Sequence, residues 1–198
     1  MFVTLEGLDG SGKTTQARLL GARLEADGVE VVSTREPGGT PLGEEIRTLV
    51  LHGGDVAPWA EAALYAAARA QHVEQVIRPA LERGATVICD RYVDSSVAYQ
   101  GIARGLGLER VLDLNLAAVG GLMPDRTILL EVDVDAAGAR MGIELDRIER
   151  EDDGFRDRIA AGYRELANRF PSRYLVVDGT APPDTIGEEI YGALRSGF

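Results

Sequence analysis

The chain has 198 residues, with 21 Lys and Arg against 32 Asp and Glu for a formal charge of −11. A single cysteine, Cys89, excludes an intrachain disulfide, and two histidines, His52 and His72, are too few for a zinc ligand set. An acidic balance is the wrong sign for unspecific nucleic-acid binding, and no apolar run approaches the ~20 residues that cross a bilayer.

Short β-branched runs alternate with helical stretches along the chain. Predicted strands are Phe2–Glu6, Val29–Ser33, Thr86–Cys89, Thr127–Val132 and Tyr174–Val177. Most are apolar on both faces, so helices are expected on both sides. Helical patterns run over Thr14–Asp27, Leu42–Leu51, Trp59–Arg83, Ser95–Arg104, Leu108–Ala118, Asp153–Asn168 and Asp184–Arg195. Gly28 and Gly84 are placed to end helices, and Pro182–Pro183 to open the last one. The alternation predicts a three-layer α/β fold, a five-stranded parallel sheet flanked by helices, in one domain over 1–198. Met1 runs directly into a strand without a charged leader, so a cytoplasmic protein is expected.

Gly7-Leu8-Asp9-Gly10-Ser11-Gly12-Lys13-Thr14 has the spacing G-x-x-x-x-G-K-T, followed by Thr15, between a predicted strand and a predicted helix. Glycines there let backbone N–H groups turn inward around phosphate oxygens, and the helix N-terminus adds partial positive charge. Lys13 would reach the outer phosphates and Thr14 would help hold Mg²⁺, so ATP or another nucleoside triphosphate is the expected ligand. Lys13 is also the sole lysine, since the other 20 basic residues are arginine. No N-K-x-D guanine-reading motif is present.

Asp90-Arg91-Tyr92 follows the third strand, at the carboxyl edge where open α/β sheets bind ligands. An acidic residue ending an apolar strand suits a carboxylate that orients Mg²⁺, and Arg91 suits a phosphate. The plainer alternative is a structural Asp–Arg pair.

Further segments recur in a fixed order: Thr34-Arg35-Glu36-Pro37-Gly38-Gly39-Thr40, Arg69-Ala70-Gln71, Asp90-Arg91-Tyr92 with Ser95, Ser96 and Ala98-Tyr99-Gln100-Gly101, then Glu144-Leu145-Asp146-Arg147-Ile148-Glu149. With the phosphate loop, they make the chain resemble the bacterial thymidylate kinases, P-loop nucleoside-monophosphate kinases acting on dTMP, from end to end. The resemblance implies a P-loop kinase fold with a mobile lid at about 140–153 and transfer of phosphate from ATP to dTMP with Mg²⁺, on the way to dTTP. It implies that Asp9 lies near the sugar and the acceptor phosphate, and that Arg35 and Arg91 hold that phosphate. Tyr65 would stack on the base, Arg69 would hydrogen-bond it, Ser96 and Gln100 would read its edge, and Tyr99 would favour deoxyribose. It also implies a homodimer, for which the Ala-rich stretch Ala57–Ala80 is the candidate surface, and adenine contacts near Gly179–Pro183 are expected.

The phosphate loop carries no arginine at Leu8, Asp9, Gly10 or Ser11, which resembles the type of family member whose lid arginines close over the γ-phosphate; the resemblance therefore implies that Arg140, Arg147 or Arg150 supplies the cation for the transferred phosphoryl group. Relatives often carry more closely spaced basic residues before the Glu144–Glu149 stretch, so which of the three acts stays open. A deoxynucleoside kinase and a non-catalytic ATP-binding switch are the alternative functions.

Overall fold

The structure, a computed structural model, describes residues 1–140, 147–148, 151 and 153–196. Among the described residues five strands, β1 (Phe2–Glu6), β2 (Val31–Arg35), β3 (Thr86–Asp90), β4 (Arg126–Glu131) and β5 (Tyr174–Asp178), form one sheet. It is parallel throughout, in the order β2-β3-β1-β4-β5, with Leu5 paired to both Asp90 and Ile128.

Alternating side chains of the strands feed two cores. Val3, Leu5, Ile88, Ile128, Leu130 and Val177 face Leu20 and Leu24 of α1 (Lys13–Ala26) and Ile186 and Ile190 of α9 (Pro183–Ser196). Phe2, Val87, Cys89 and Leu129 face the other helices, including α6 (Leu108–Ala118) and α8 (Asp153–Arg169). Burial on both faces is why these strands read as continuous apolar runs rather than alternating ones.

Local chemistry sets most element ends. Gly28 at φ +82° ends α1, and the Val29 N–H bonds the Leu24 carbonyl, so Val29 closes the helix rather than opening a strand. The second strand therefore starts at Val31, two residues later than predicted, with Val31 opposite Thr86. Thr40 caps α2 (Pro41–His52) by accepting from the Gly43 N–H at 3.0 Å, with Pro41 first in the helix.

The predicted helix over Trp59–Arg83 is three segments: α3 (Pro58–His72), a π-helical stretch Val73–Ile77 and α4 (Arg78–Glu82). Widening before Pro79 lets the Arg78 N–H reach the Val73 carbonyl, so the proline continues the rod without breaking it. A second π-helical stretch, Val97–Ala103, continues α5 (Val93–Ser96) and carries Tyr99 and Gln100. One short helix, α7 (Val134–Ala139), was not predicted; Asp133 caps it by accepting from the Asp135 N–H.

Candidate active site

The phosphate loop leaves β1 at the centre of the sheet and enters α1. Gly10 sits at φ +84° where a Cβ would lie 2.2 Å from the Ala137 carbonyl oxygen, so only glycine fits against α7. Lys13 is buried at the start of α1 and donates to the carbonyls of Gly7 (3.2 Å) and Leu8 (2.8 Å). Burial, then the nearby Arg91 guanidinium, bring its pKa down to about 8 against the pull of Asp9 and Asp90. Thr14, in the first turn, donates its hydroxyl to Asp90 Oδ2 at 2.6 Å. These are hard oxygen donors at the mouth of an anion-binding loop, a set that fits Mg²⁺.

Two recesses adjoin here. The larger, ≈ 830 Å³, is lined by residues 9–16 of the loop and helix, by Arg35, Asp90 and Arg140, and by Gly179–Pro183. The smaller, ≈ 90 Å³, is lined by Tyr65, Arg69, Ser96, Tyr99, Gln100 and neighbours. Asp9, Glu36, Arg47 and Arg91 line both.

Arg91 stands between them. Its backbone is left-handed, φ +72°, a conformation that costs a side-chain-bearing residue about 1–3 kcal/mol. The guanidinium donates through Nη2 to Asp9 Oδ1 (2.5 Å) and the Tyr99 hydroxyl (3.1 Å), and through Nη1 to Ser95 Oγ and the Tyr163 hydroxyl (both 3.0 Å). Burial would raise the Asp9 carboxyl, but Arg91 and Lys13 outweigh it and hold the group well below the usual carboxylate range. Beneath Arg91, Glu6 is fully buried and accepts from the Tyr92 N–H, Ser95 Oγ and the Tyr163 hydroxyl. Burial, with Asp94 adding repulsion, pushes its pKa up to about 7.

Arg69 forms one wall of the smaller recess and is only 2% exposed. Nε donates to Glu36 Oε2 (2.6 Å), Nη1 to Ser96 Oγ (3.0 Å) and Asn115 Oδ1, and Nη2 to the Tyr92 carbonyl (3.0 Å). Glu36 also binds His72 Nδ1 at 2.8 Å, and the Glu36–Pro37 peptide is cis.

Of the residues singled out in the sequence, Gly10, Ser11, Gly12, Lys13, Thr14, Thr15, Arg35, Asp90 and Arg140 line the larger recess. Gly7 and Leu8 lie behind it as acceptors for Lys13. Tyr65, Arg69, Ser96, Tyr99 and Gln100 line the smaller one, and Asp9 and Arg91 both. Arg35 pairs with Glu44 at 3.0 Å. Arg140 donates to the Gly179 carbonyl at 3.0 Å, beside the segment expected to meet adenine.

Arg147 departs from expectation. It donates to Glu61 Oε2 (2.5 Å) and to the Val50 carbonyl (2.9 Å), and it lines neither recess, because the buried Glu61 carboxylate draws it to α2 and α3. Arg150 lies outside the described residues, as does most of the expected lid. Glu36 stands in the Thr34–Thr40 segment without an expected role of its own; Arg47, Glu61 and Asn115 were not anticipated, since none stands in a spacing that marks a site and folding alone brings them there.

A loop with the phosphate-binding spacing between β1 and α1, and a second recess across Arg91, fit the class of P-loop phosphotransferases. The family model for thymidylate kinase matches residues 5–190. The chain is 54% identical over 194 residues to the thymidylate kinase of Clavibacter sepedonicus, covering 96% of this chain and 92% of that one. It is 52% identical over 184 residues to that of Pelotomaculum thermopropionicum, covering 90% and 85%. The crystal structure of thymidylate kinase from Ehrlichia chaffeensis superposes with a TM-score of 0.81 at 33% identity, over 98% of both chains. The chain belongs to the thymidylate kinase family.

Proposed function

We propose that the protein transfers the γ-phosphoryl group of ATP to the 5′-phosphate of dTMP, giving dTDP and ADP, a step towards dTTP. An oxygen of the dTMP phosphate forms the new P–O bond while the bond from the γ-phosphorus to the β,γ-bridging oxygen breaks, and the electron pair leaves with ADP. The observation that carries this reading is Arg91, whose guanidinium lies between the two recesses and is fixed there by four side chains. A cation at that point can neutralise an anionic acceptor and align it with a second anion.

Lys13 and the loop amides would hold the donor phosphates, and Arg140 would close on them from the Gly179 side. Thr14 and Asp90 would hold Mg²⁺, which supplies charge neutralisation on the β- and γ-phosphates when bound. Arg35 and Arg91 would grip the acceptor phosphate, Tyr65 and Arg69 the base, with Tyr99 at the sugar. No proton need be removed from an acceptor that is already an anion. Asp9, committed to Arg91 and held well below the usual carboxylate range, is a poor base, which suits an acceptor that needs none; a deoxynucleoside kinase, the alternative, would need a base to deprotonate a neutral 5′-hydroxyl. The reading extends to a cytoplasmic homodimer with a lid over about 140–153, supported by family membership; no helix among the described residues is long and apolar enough to cross a membrane.

The test is ADP release with dTMP, dUMP, dCMP, dGMP, thymidine or no acceptor. Turnover is expected with dTMP above all others; equal rates on all, or a preference for thymidine, would refute the reading.

A further inference from the structure

Glu61, in the first turn of α3, is a carboxylate with no solvent exposure, and it lies outside both recesses. Oε1 accepts from Gln100 Nε2 (2.9 Å) and Arg104 Nε (3.2 Å); Oε2 accepts from Arg104 Nη2 (3.2 Å) and Arg147 Nη2 (2.5 Å). Two guanidiniums neutralise it, which explains how a charge is tolerated there. Neither arginine touches the phosphate loop. The fourth contact bears on function, because Gln100 lines the smaller recess.

A side-chain amide has a donor end and an acceptor end, and its neighbours decide which way it faces. A carboxylate has only lone pairs to offer, so Gln100 must turn its NH₂ towards Glu61. That leaves the Oε1 acceptor for the recess, and no described residue takes it. Arg69 complements it. Of its five N–H groups, four are used by Glu36, Ser96, Asn115 and the Tyr92 carbonyl, leaving one on Nη2. The recess therefore offers a donor from Arg69 and an acceptor from Gln100. Thymine presents a carbonyl at C4 beside an N3–H, which answers that pair. Cytosine presents an amino group at C4 beside a bare N3 and reverses both partners.

We propose that Glu61 is a specificity-determining positioning residue: by fixing the polarity of the Gln100 amide, it makes the acceptor recess select a 4-oxo pyrimidine over a 4-amino one. This deepens the functional reading and rests on it, since it assumes that the nucleotide base enters the smaller recess. Arg104 and Arg147 serve as the counter-charges that keep the carboxylate in place. A glutamine at position 61 could turn either end towards Gln100 and would release the constraint without emptying the site.

The test is calorimetric titration of dTMP, dUMP and dCMP into the wild type, Glu61→Gln, Gln100→Met and the double variant, which reads binding without turnover. The preference for dTMP over dCMP is expected to fall about tenfold to a hundredfold in Glu61→Gln. It should fall similarly in Gln100→Met, with no further loss in the double variant, because one residue acts through the other. The dTMP to dUMP ratio should stay as in the wild type, since those bases share the edge. Equal weakening towards dTMP and dCMP, or independent losses that add in the double variant, would overturn the proposal and leave Glu61 a structural anchor. If Glu61→Gln gives no cooperative melt, Glu61→Asp keeps the charge but withdraws it from Gln100. It is read by the same ratio: a fall supports the proposal, and an unchanged ratio overturns it. A wild type that binds dTMP selectively without turning it over would refute the phosphotransfer reading and not this one.

Discussion

The Thr14 hydroxyl donates to Asp90 Oδ2 across 2.6 Å, tying the first turn of α1 to the end of β3 at the mouth of the larger recess. Both oxygens suit Mg²⁺, so Thr14→Val and Asp90→Asn should each lower kcat by about 10²-fold or more. Thr14→Ser should keep most of the activity. The check is ADP release over a Mg²⁺ titration, in which a metal role raises the Mg²⁺ requirement of the weakened variants.

Lys13, with a pKa of about 8, is partly uncharged in the free enzyme just above that pH. A triphosphate beside it favours the ammonium, so ATP binding near pH 8.5 should take up protons. Calorimetry in two buffers of different ionisation enthalpy measures this, and Lys13→Arg should abolish the uptake. Lys13→Ala should lose nearly all turnover.

Removing Arg69 strands the buried Glu36 carboxylate, which His72 alone would then hold. Breaking one side of a buried ion pair costs about 3–5 kcal/mol, so Arg69→Ala should lower Tm markedly. In whatever fraction folds, KM for dTMP should rise more than KM for ATP. Arg69→Lys should not restore it, because one ammonium cannot supply the planar set of donors that Glu36, Ser96, Asn115 and the Tyr92 carbonyl require.

Arg140 and Arg147 should part in kinetics. Arg140 lies with the phosphate loop and Gly179–Pro183, so Arg140→Ala should lower kcat or raise KM for ATP. Arg147 is held by Glu61 and the Val50 carbonyl, so Arg147→Ala should act on KM for dTMP with a smaller change in kcat.

Glu6 has a raised pKa of about 7 against an ordinary 4.5. Between those values the folded chain holds a proton that the unfolded chain has released, so stability falls as pH rises through the window. At about 1.4 kcal/mol per pKa unit the loss is at most roughly 3.5 kcal/mol. Asp9 acts in the opposite sense only in acid, and Lys13 only above about pH 8. Denaturant melts of Glu6→Gln, which resembles the protonated acid, should be flatter than wild type between pH 5 and 7.

The sheet and the donor side were largely legible because their signals are local. Apolar runs mark strands buried on both faces, and the loop's glycines, Lys13 and Thr14 are contiguous. Thr40 followed by Pro41 is likewise a cap readable in four letters. What stayed hidden depends on long-range closure. Val29 is an apolar residue beside a strand, yet it serves the end of α1 by bonding back to Leu24. The widened turn over Val73–Ile77 carries the chain through Pro79, which as a letter says only that a helix should stop. Gln100 is marked by its motif, but Glu61, 39 residues away and bonded to it, reads alone as an ordinary polar residue on a helix. Arg147 shows the converse: its motif marked it as noteworthy, but a buried carboxylate on α3 determines where it goes.

The central position of β1 has a consequence for how the protein is made. Phe2 pairs with Val87 and Val3 with Arg126, so β1, made before the other four strands, has no neighbour on either edge until much later. At roughly 5–20 residues per second, the second edge is supplied on the order of 10 s after the first strand emerges. Until then the nascent chain exposes an apolar strand with open backbone groups, a template for wrong pairing. The glycine-rich loop is complete in sequence at Thr14, but the strand that carries it gains its second neighbour only with β4, so prematurely terminated chains are candidates for chaperone capture rather than partial kinases.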